Sequence, residues 1–277
     1  MKKTKVKIPA KLNLTLDVLG KEGKFHNLKS LVCSIDIYDT ITLKARKDKT
    51  ITLKEKGIKA GCDKEKNNAY LTAKTVLERF SSFGVDITVN KNIPVGAGLG
   101  GSSADVAGVL IGYDMMLGGT LDLYSLAKEL GSDVNYMLGG GYAVISGKGD
   151  DIEFIESDLT LYFIIIPAKN MVSAKDCFLE FDKQNLVKEC FTDKAVSGIK
   201  NDKTNLFKNL NNHLYDSAIK ILPEIKVNYE LLSKYSITNM TGSGSAVYAV
   251  FESKKERDKI AKILKKQKIE FITAKTV

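Results

Sequence analysis

One glycine-rich segment restricts the fold of this 277-residue chain more than any other feature. It reads PVGAGLGGSSADVA at residues 94–107, after an alternating strand pattern at 85–89 and at the start of a helical pattern over 102–116. Backbone without Cβ atoms can approach an anion closely, and the N–H groups at a helix start point toward it. The sequence therefore predicts a strand–loop–helix unit that binds phosphate, in which Ser102 and Ser103 cap the helix or offer hydroxyls.

Three phosphate-binding motifs compete for this loop. A Walker A loop has Lys after its last glycine, where this chain has Ser102. Gly96, Gly98 and Gly101 satisfy the G-x-G-x-x-G spacing, but a second helical pattern at 123–130 follows where a Rossmann unit needs a parallel strand. The sequence contains neither HRD nor DFG, which argues against a protein-kinase loop. A glycine-rich turn without a ligand is the remaining alternative.

The composition argues against several other classes of protein. No apolar run approaches the ~20 residues of a membrane span, and the start MKKTKVKIPAKLNL lacks the apolar stretch of a signal peptide. We therefore expect a cytoplasmic protein with no membrane partner. The four cysteines form no CxxC pair and there are only two histidines, so a Cys/His metal site is not expected. The net charge of +9 arises from dispersed lysines without a nucleic-acid-binding motif, so no nucleic-acid partner is expected.

Hydrophobic periodicity predicts strands and helices along the whole chain. Strands are predicted at 6–8, 12–16, 31–35, 40–44, 50–53, 85–89, 142–145, 161–166 and 246–252. The strands at 31–35, 40–44 and 50–53 are expected to belong to an antiparallel sheet. Helices are predicted at 68–80, 102–116, 123–130, 133–138, 175–190, 205–221, 223–234 and 254–267. This mixture predicts an α+β protein, and the GKGDD interruption near residue 150 predicts two domains, residues 1–150 and 151–277.

The glycine loop resembles the ATP-binding motif of the GHMP kinases, and other motifs stand in the order typical of that superfamily. They are PAKLNL at 9–14, GKFHNLKS at 23–30, GSDV at 131–134 with GGG at 139–141, PEI at 223–225 and MTGSGSAVY at 240–248. Within the superfamily, PAKLNL is typical of the 4-diphosphocytidyl-2-C-methyl-D-erythritol kinases. The resemblance covers nearly the whole chain and implies a two-domain GHMP kinase-like fold with the active site in the interdomain cleft. It also implies transfer of the γ-phosphoryl of ATP, with Mg²⁺, to the 2-hydroxyl of a small-molecule substrate in non-mevalonate isoprenoid biosynthesis.

The resemblance also implies roles for individual residues. Asp133 would accept the hydroxyl proton, and Lys11 would favour the alkoxide and keep the aspartate ionised. The residues alone leave a helix cap open for Asp133 and a solvated strand position open for Lys11. The ATP-binding residues would be Asn68, Pro94, Gly96, Gly98, Gly100, Gly101, Ser102 and Ser103. The substrate-binding residues would be Asn13, Phe25, His26, Phe178, Thr241, Gly242, Ser243 and Gly244.

Two positions of the substrate site depart from the family pattern. Phe25 stands where the family has a tyrosine, and Ala174 follows Val172-Ser173 where the family has a threonine. No protein carboxylate is assigned to a metal. Two alternatives stay open: a GHMP kinase acting on another small alcohol, and a non-catalytic nucleotide-binding regulator of the same fold.

Overall fold

Residue contacts divide the chain into two units in the computed structural model, which describes residues 2–23, 25–59, 61–184 and 189–277. The first unit contains residues 1–10, 37–95 and 100–140, and the second contains residues 11–36, 96–99 and 141–277. The functional division at residue 150, into an ATP-binding and a C-terminal domain, stays a prediction.

In the first unit, helices pack on strands that all precede the glycine loop in the sequence. Its strands are most of β1 (Lys3–Asn13), the end of β3 (Phe25–Ala45), β4 (Ile51–Gly57) and β5 (Val85–Lys91). Its helices are α1 (Asn68–Arg79), α2 (Gly101–Leu117), α3 (Leu123–Leu130) and α4 (Val134–Gly139), with a 3₁₀ turn at Lys64–Lys66. Strand β5 pairs antiparallel with β3 and parallel with β4.

Helix α2 lies close to strand β3 because two of its residues lack side chains. A Cβ atom on Gly108 would come within 2.6 Å of Ile41, and one on Gly112 within 2.8 Å of Leu43. Both partners are fully buried core residues, so larger side chains at either glycine would push the helix away from the sheet. These two glycines set how closely the helix that begins at the loop packs on the strand.

The second unit contains a separate antiparallel sheet with helices packed on it. The order is β10 (Thr238–Met240), β11 (Val247–Phe251), β8 (Tyr162–Ile166) and β12 (Ile272–Lys275), and β11 is buried along its whole length. The unit also holds β2 (Thr15–Glu22), β6 (Tyr142–Gly147), β7 (Asp151–Ile155) and β9 (Asn211–Asn212). Its helices are α5 (Ala174–Asp182), α6 (Thr192–Asn201), α7 (Lys203–Lys208), α8 (Tyr215–Ile221), α9 (Glu224–Ser233) and α10 (Lys254–Lys266).

The mixed α+β class is confirmed, while several predicted elements were wrong in extent. The strands predicted at 31–35 and 40–44 are one strand, β3, and β4 is parallel to its neighbour rather than antiparallel. The helix predicted at 205–221 is two helices, because Asn211–Asn212 forms a short parallel pairing with β2. The helix predicted at 175–190 ends at Asp182, and residues 185–188 lie outside the described residues. Strands β7, β10 and β12 were not predicted.

Candidate functional site

The end of strand β1 places Lys11 beside Asn13. The Lys11 ammonium donates to Asn13 Oδ1 at 2.5 Å, and the residues are only 4% and 5% exposed. The backbone N–H of Lys11 donates to the Leu99 carbonyl at 3.0 Å, which joins the strand to the glycine loop. This burial rules out a solvated strand lysine and confirms that Lys11 and Asn13 project on the same face of the strand.

The amide of Asn13 holds a segment more than two hundred residues away in sequence. Its Oδ1 accepts from the Gly242 N–H at 3.0 Å, and its Nδ2 donates to Ser30 Oγ at 2.7 Å. Its backbone N–H donates to Thr241 Oγ1 at 3.0 Å. Asn13 is therefore hydrogen-bonded to Thr241 and to Gly242, and all three residues were predicted to bind the substrate.

The first part of the glycine loop packs on this same segment. The Thr241 hydroxyl lies 3.1 Å from the Gly98 carbonyl oxygen, and the Ala246 N–H donates to the Ala97 carbonyl at 3.2 Å. Gly98 has φ of +75°, and an added Cβ would meet the carbonyl oxygens of Thr241 and Gly244. Only glycine fits this position, because both the backbone angle and the neighbouring backbone exclude a side chain.

The second part of the loop begins helix α2 in the first unit. Gly100 occupies the N-cap position with φ of 75°, so neither Ser102 nor Ser103 caps the helix. The Asn68 amide donates to Ser102 Oγ, which brings together two residues predicted to bind ATP. Helix geometry leaves the first-turn N–H groups without partners inside the helix, and these are the groups that bind anions at helix starts.

Asp133 occupies the position immediately before helix α4. Its side chain makes no capping hydrogen bond to that helix, although its backbone carbonyl accepts from the Met137 N–H at 3.1 Å. The helix-capping alternative for this carboxylate is therefore excluded. Asp133 belongs to the first unit and Lys11 to the second, and their joint action on one hydroxyl stays a prediction.

Aromatic side chains lie together at the start of strand β3. The His26 and Phe178 rings stack with centroids 4.6 Å apart and planes 22° apart. Phe25 is 48% exposed, and the Lys148 ammonium lies 5.4 Å from its ring centroid. A cavity of about 270 Å³ is lined by Phe25, His26, Asn27, Gly147, Lys148, Asp150 and Asp151. Phe25, His26 and Phe178 were all predicted to bind the substrate, and the stack brings the last two into contact.

His26 is held by a carboxylate, that of Asp182, which was not among the predicted site residues. The His26 Nε2–H donates to Asp182 Oδ1 at 2.6 Å, and Lys21 forms an ion pair with the other oxygen. Hydrogen bonds from Lys21 and His26 hold the pKa of Asp182 below its ordinary value. The carboxylate therefore stays ionised and fixes the orientation of the imidazole. No sequence signal indicated it, because Asp182 and His26 are 156 residues apart.

The remaining predicted residues divide between the two units. Pro94, Gly100, Gly101, Ser103 and Asn68 belong to the first, while Gly96, Ser243 and Gly244 belong to the second. Among the described residues, no group of three or more His, Cys, Asp or Glu side chains could hold a metal ion. No helix in that part of the chain is both long and apolar enough to cross a membrane.

Comparison with known proteins places this sequence in a family. Two family models match: GHMP kinases N terminal domain over residues 67–148, and GHMP kinases C terminal over residues 195–270. The chain belongs to the GHMP kinase family. Its relatives include a 4-diphosphocytidyl-2-C-methyl-D-erythritol kinase of Caldicellulosiruptor saccharolyticus, which is 33% identical over 268 residues, covering 94% of this chain and 92% of the relative. The same-named enzyme of Clostridium tetani is 31% identical over 281 residues, covering 99% and 100%.

Solved GHMP kinases share the fold of this chain. A crystal structure of 4-(cytidine 5'-diphospho)-2C-methyl-D-erythritol kinase superposes with a TM-score of 0.80 at 24% identity, covering 98% of both chains. The homoserine kinase of Cytophaga hutchinsonii superposes with a TM-score of 0.78 at 21% identity, covering 100% of this chain and 95% of that one. At these identities the structural likeness establishes the fold of this GHMP kinase alone.

For this GHMP kinase we expect Lys11→Met to lower kcat by about a hundredfold, with a smaller effect on ATP affinity. A buried cation beside the loop would act on charge that develops in the transition state, and loss of one such donor costs about 10²–10³-fold. Steady-state kinetics and calorimetric titration with ATP measure the two effects. The control is Lys7→Met, which removes an exposed lysine of the same strand. A lower melting temperature with unchanged kcat would make Lys11 a structural residue only.

Proposed function

We propose that this protein transfers the γ-phosphoryl of ATP to the 2-hydroxyl of 4-diphosphocytidyl-2-C-methyl-D-erythritol. The observation that carries the proposal is the hydrogen-bonded group of Lys11, Asn13, Thr241 and Gly98, which joins a buried cation to a glycine loop. Two features support the choice of substrate: curated relatives of that name match over most of the chain, and an aromatic stack follows the PAKLNL motif.

The glycine loop is proposed to bind the phosphates of ATP. The first-turn N–H groups of α2 present donors to an anion, and the helix dipole adds to their attraction. Asn68 orients the Ser102 hydroxyl at this helix start. The adenine would lie on the side of α1, as the position of Asn68 in the family motif implies.

Phosphoryl transfer depends mostly on positioning and charge stabilisation, so a strong base is not needed. Asp133 is proposed to accept the hydroxyl proton, because it lies in the GSDV segment that resembles the catalytic segment of the family, directly before α4. Lys11 is proposed to stabilise negative charge on the reacting oxygens. Asn13 holds the Lys11 ammonium at 2.5 Å and so fixes where that charge acts.

Mg²⁺ is proposed to enter with the nucleotide. The described residues offer no carboxylate cluster for it, which suits a cation that binds mainly through substrate phosphates and keeps several waters. The Ser103 hydroxyl at the start of α2 is the protein oxygen proposed for phosphate or magnesium. When bound, the cation would neutralise phosphate charge.

An assay of ATP consumption against three alcohols tests the proposal. The purified protein with Mg²⁺ is given the diphosphocytidyl compound, homoserine or mevalonate, since kinases for the latter two share the fold. We expect turnover of the first alone. Turnover of homoserine or mevalonate, without turnover of the diphosphocytidyl compound, would leave only the family assignment. ATP binding without turnover of any alcohol would favour the nucleotide-binding regulator.

We expect the double variant Phe25→Tyr with Ala174→Thr to lower the Michaelis constant for the diphosphocytidyl substrate about tenfold. Each change restores a hydroxyl that the family pattern carries, and one neutral hydrogen bond contributes about 0.5–1.5 kcal/mol. Phe25 is 48% exposed, so its ring has room for the added oxygen. The control is Phe154→Tyr, a phenylalanine of the same unit that is 46% exposed. An unchanged Michaelis constant in the double variant contradicts the assignment of these positions to the substrate pocket.

A further inference from the structure

Three buried charged side chains lie directly beneath the second part of the glycine loop. The Lys91 ammonium donates to Asp39 Oδ2 at 2.7 Å, to Asp105 Oδ2 at 2.6 Å and to the Gly101 carbonyl at 3.2 Å. The side chains of Lys91, Asp39 and Asp105 are 3%, 0% and 8% exposed. We call these three residues the buried triad.

The stability of the fold alone does not account for the buried triad. Each buried ion carries a desolvation penalty of several kcal/mol, and well-packed apolar side chains of similar volume often give equal or greater stability. Burial lowers the pKa of Lys91, but its two carboxylates outweigh this and raise it above the ordinary value. Burial also raises the pKa of Asp105 to about 7, against the effect of Lys91. The arrangement therefore calls for a role other than stability.

The contacts of the triad connect both ends of the loop. Asp39 Oδ1 accepts from the backbone N–H groups of Asn92 and Ile93 at 2.6 and 2.9 Å, which fixes the chain where β5 leads into the loop. Lys91 is the last residue of β5 and binds the carbonyl of Gly101, the first residue of α2. Asp105 lies one turn further along α2. A single ammonium thus joins the strand end to the helix start.

We propose that Lys91 is a positioning residue for the nucleotide phosphates. Through the Gly101 carbonyl and Asp105 it fixes the first turn of α2, so that the N–H groups of Gly101, Ser102 and Ser103 face the anion. One cation with two carboxylates has no net positive charge when all three are ionised. The triad therefore acts by geometry rather than by attracting phosphate. This inference rests on the proposed function, because it concerns how the same loop binds ATP.

A charge-neutral double variant, Lys91→Met with Asp105→Asn, tests this role. It removes one cation and one anion together, and it leaves Asp39 with its two backbone amides, so the variant is better able to fold than Lys91→Met alone. We expect calorimetric ATP affinity to fall about tenfold, the equivalent of one to two hydrogen bonds. The Michaelis constant for the alcohol substrate should stay within about twofold.

Two further variants separate positioning from general loss of stability. Asp105→Asn alone keeps Lys91 and its bond to Gly101, and the new amide oxygen can still accept from the ammonium, so ATP affinity should fall less than in the double variant. Arg257→Met removes another buried cation, which donates to the Ala274 carbonyl at 3.2 Å and to Asp258. It should lower the melting temperature without changing ATP affinity.

Hydrogen exchange provides a measurement without nucleotide. The Ala104 N–H donates to the Gly100 carbonyl at 2.9 Å in the first turn of α2, and should exchange at least about tenfold faster in the double variant. The Leu126 N–H in α3 of the same unit is the internal reference. Selective loss of protection at Ala104 supports the inference. A folded double variant with unchanged ATP affinity overturns the inference and leaves the proposed function intact, whereas a wild-type protein that does not bind ATP overturns both.

Discussion

Replacing Asp133 with Asn is expected to lower kcat by about 10³-fold, while ATP affinity stays within about twofold. Loss of a positioned acid–base group typically costs about 10²–10⁴-fold. Asn has the same shape as Asp but cannot accept the hydroxyl proton, so the change tests chemistry rather than packing. The melting temperature of the variant, measured beside that of wild type, shows whether the substitution also disturbs the fold. Steady-state kinetics and calorimetric titration with ATP give the two values.

The control for this variant is Asp122→Asn. Asp122 is a true cap, whose Oδ1 accepts from the Ser125 N–H at 3.1 Å at the start of α3 in the same unit. Both changes remove one carboxylate at a helix start, but only Asp133 is proposed to meet the substrate. A kcat for Asp133→Asn within threefold of wild type would falsify the role of this residue as proton acceptor.

The strand–loop–helix unit around the glycine loop could be predicted from sequence because its signals are local. The alternation of Val85, Ile87 and Val89 matches β5, and the apolar pattern after Gly101 matches α2. Glycines with positive φ are also local, since Gly98 and Gly100 adopt backbone angles that other residues avoid. Where periodicity and turn chemistry agree over a short stretch, sequence reasoning is reliable.

The ends of strands were harder to predict where a local sequence signal, such as a proline, disagrees with the observed extent of the strand. Pro9 interrupts the pattern of β1, yet the strand continues through it to Asn13. Proline removes one N–H donor but keeps an extended φ, so it does not end a strand wherever that donor is not needed. Strand β7 was missed because its sequence, DIEFI, is mostly exposed and lacks a clear apolar alternation, although the strand forms a local antiparallel hairpin with β6.

Buried polar contacts between distant residues could not be predicted from sequence. The contact between Asn13 and Thr241 joins positions 228 residues apart. Lys91 continues the alternation of buried positions in β5. Because a lysine is seldom buried, its position predicts the end of the strand rather than a buried side chain. The fold brings Asp39 and Asp105 to the Lys91 ammonium, so that a buried charge that would be unfavourable alone is paired.

Replacing Gly98 with Val is expected to lower ATP affinity by at least about a thousandfold, about 4 kcal/mol. A β-branched residue strongly disfavours φ near the +75° that Gly98 adopts. Its Cβ would also meet the carbonyl oxygens of Thr241 and Gly244, which are backbone atoms and cannot rotate away. The loop would have to move from the segment it packs on, and the phosphate-binding geometry would be lost.

Gly118→Val separates this steric effect from backbone strain. Gly118 also has a positive φ, +89°, but an added Cβ there meets nothing within 4 Å, because the residue ends α2 at the surface. Both variants carry the strain of a valine in the left-handed region, of the order of 1–2 kcal/mol, so both should melt at lower temperature. Only Gly98→Val should lose ATP binding in calorimetry. If Gly98→Val binds ATP as tightly as Gly118→Val does, the loop at Gly98 is not part of the phosphate site, and ATP binding must be assigned elsewhere in the chain.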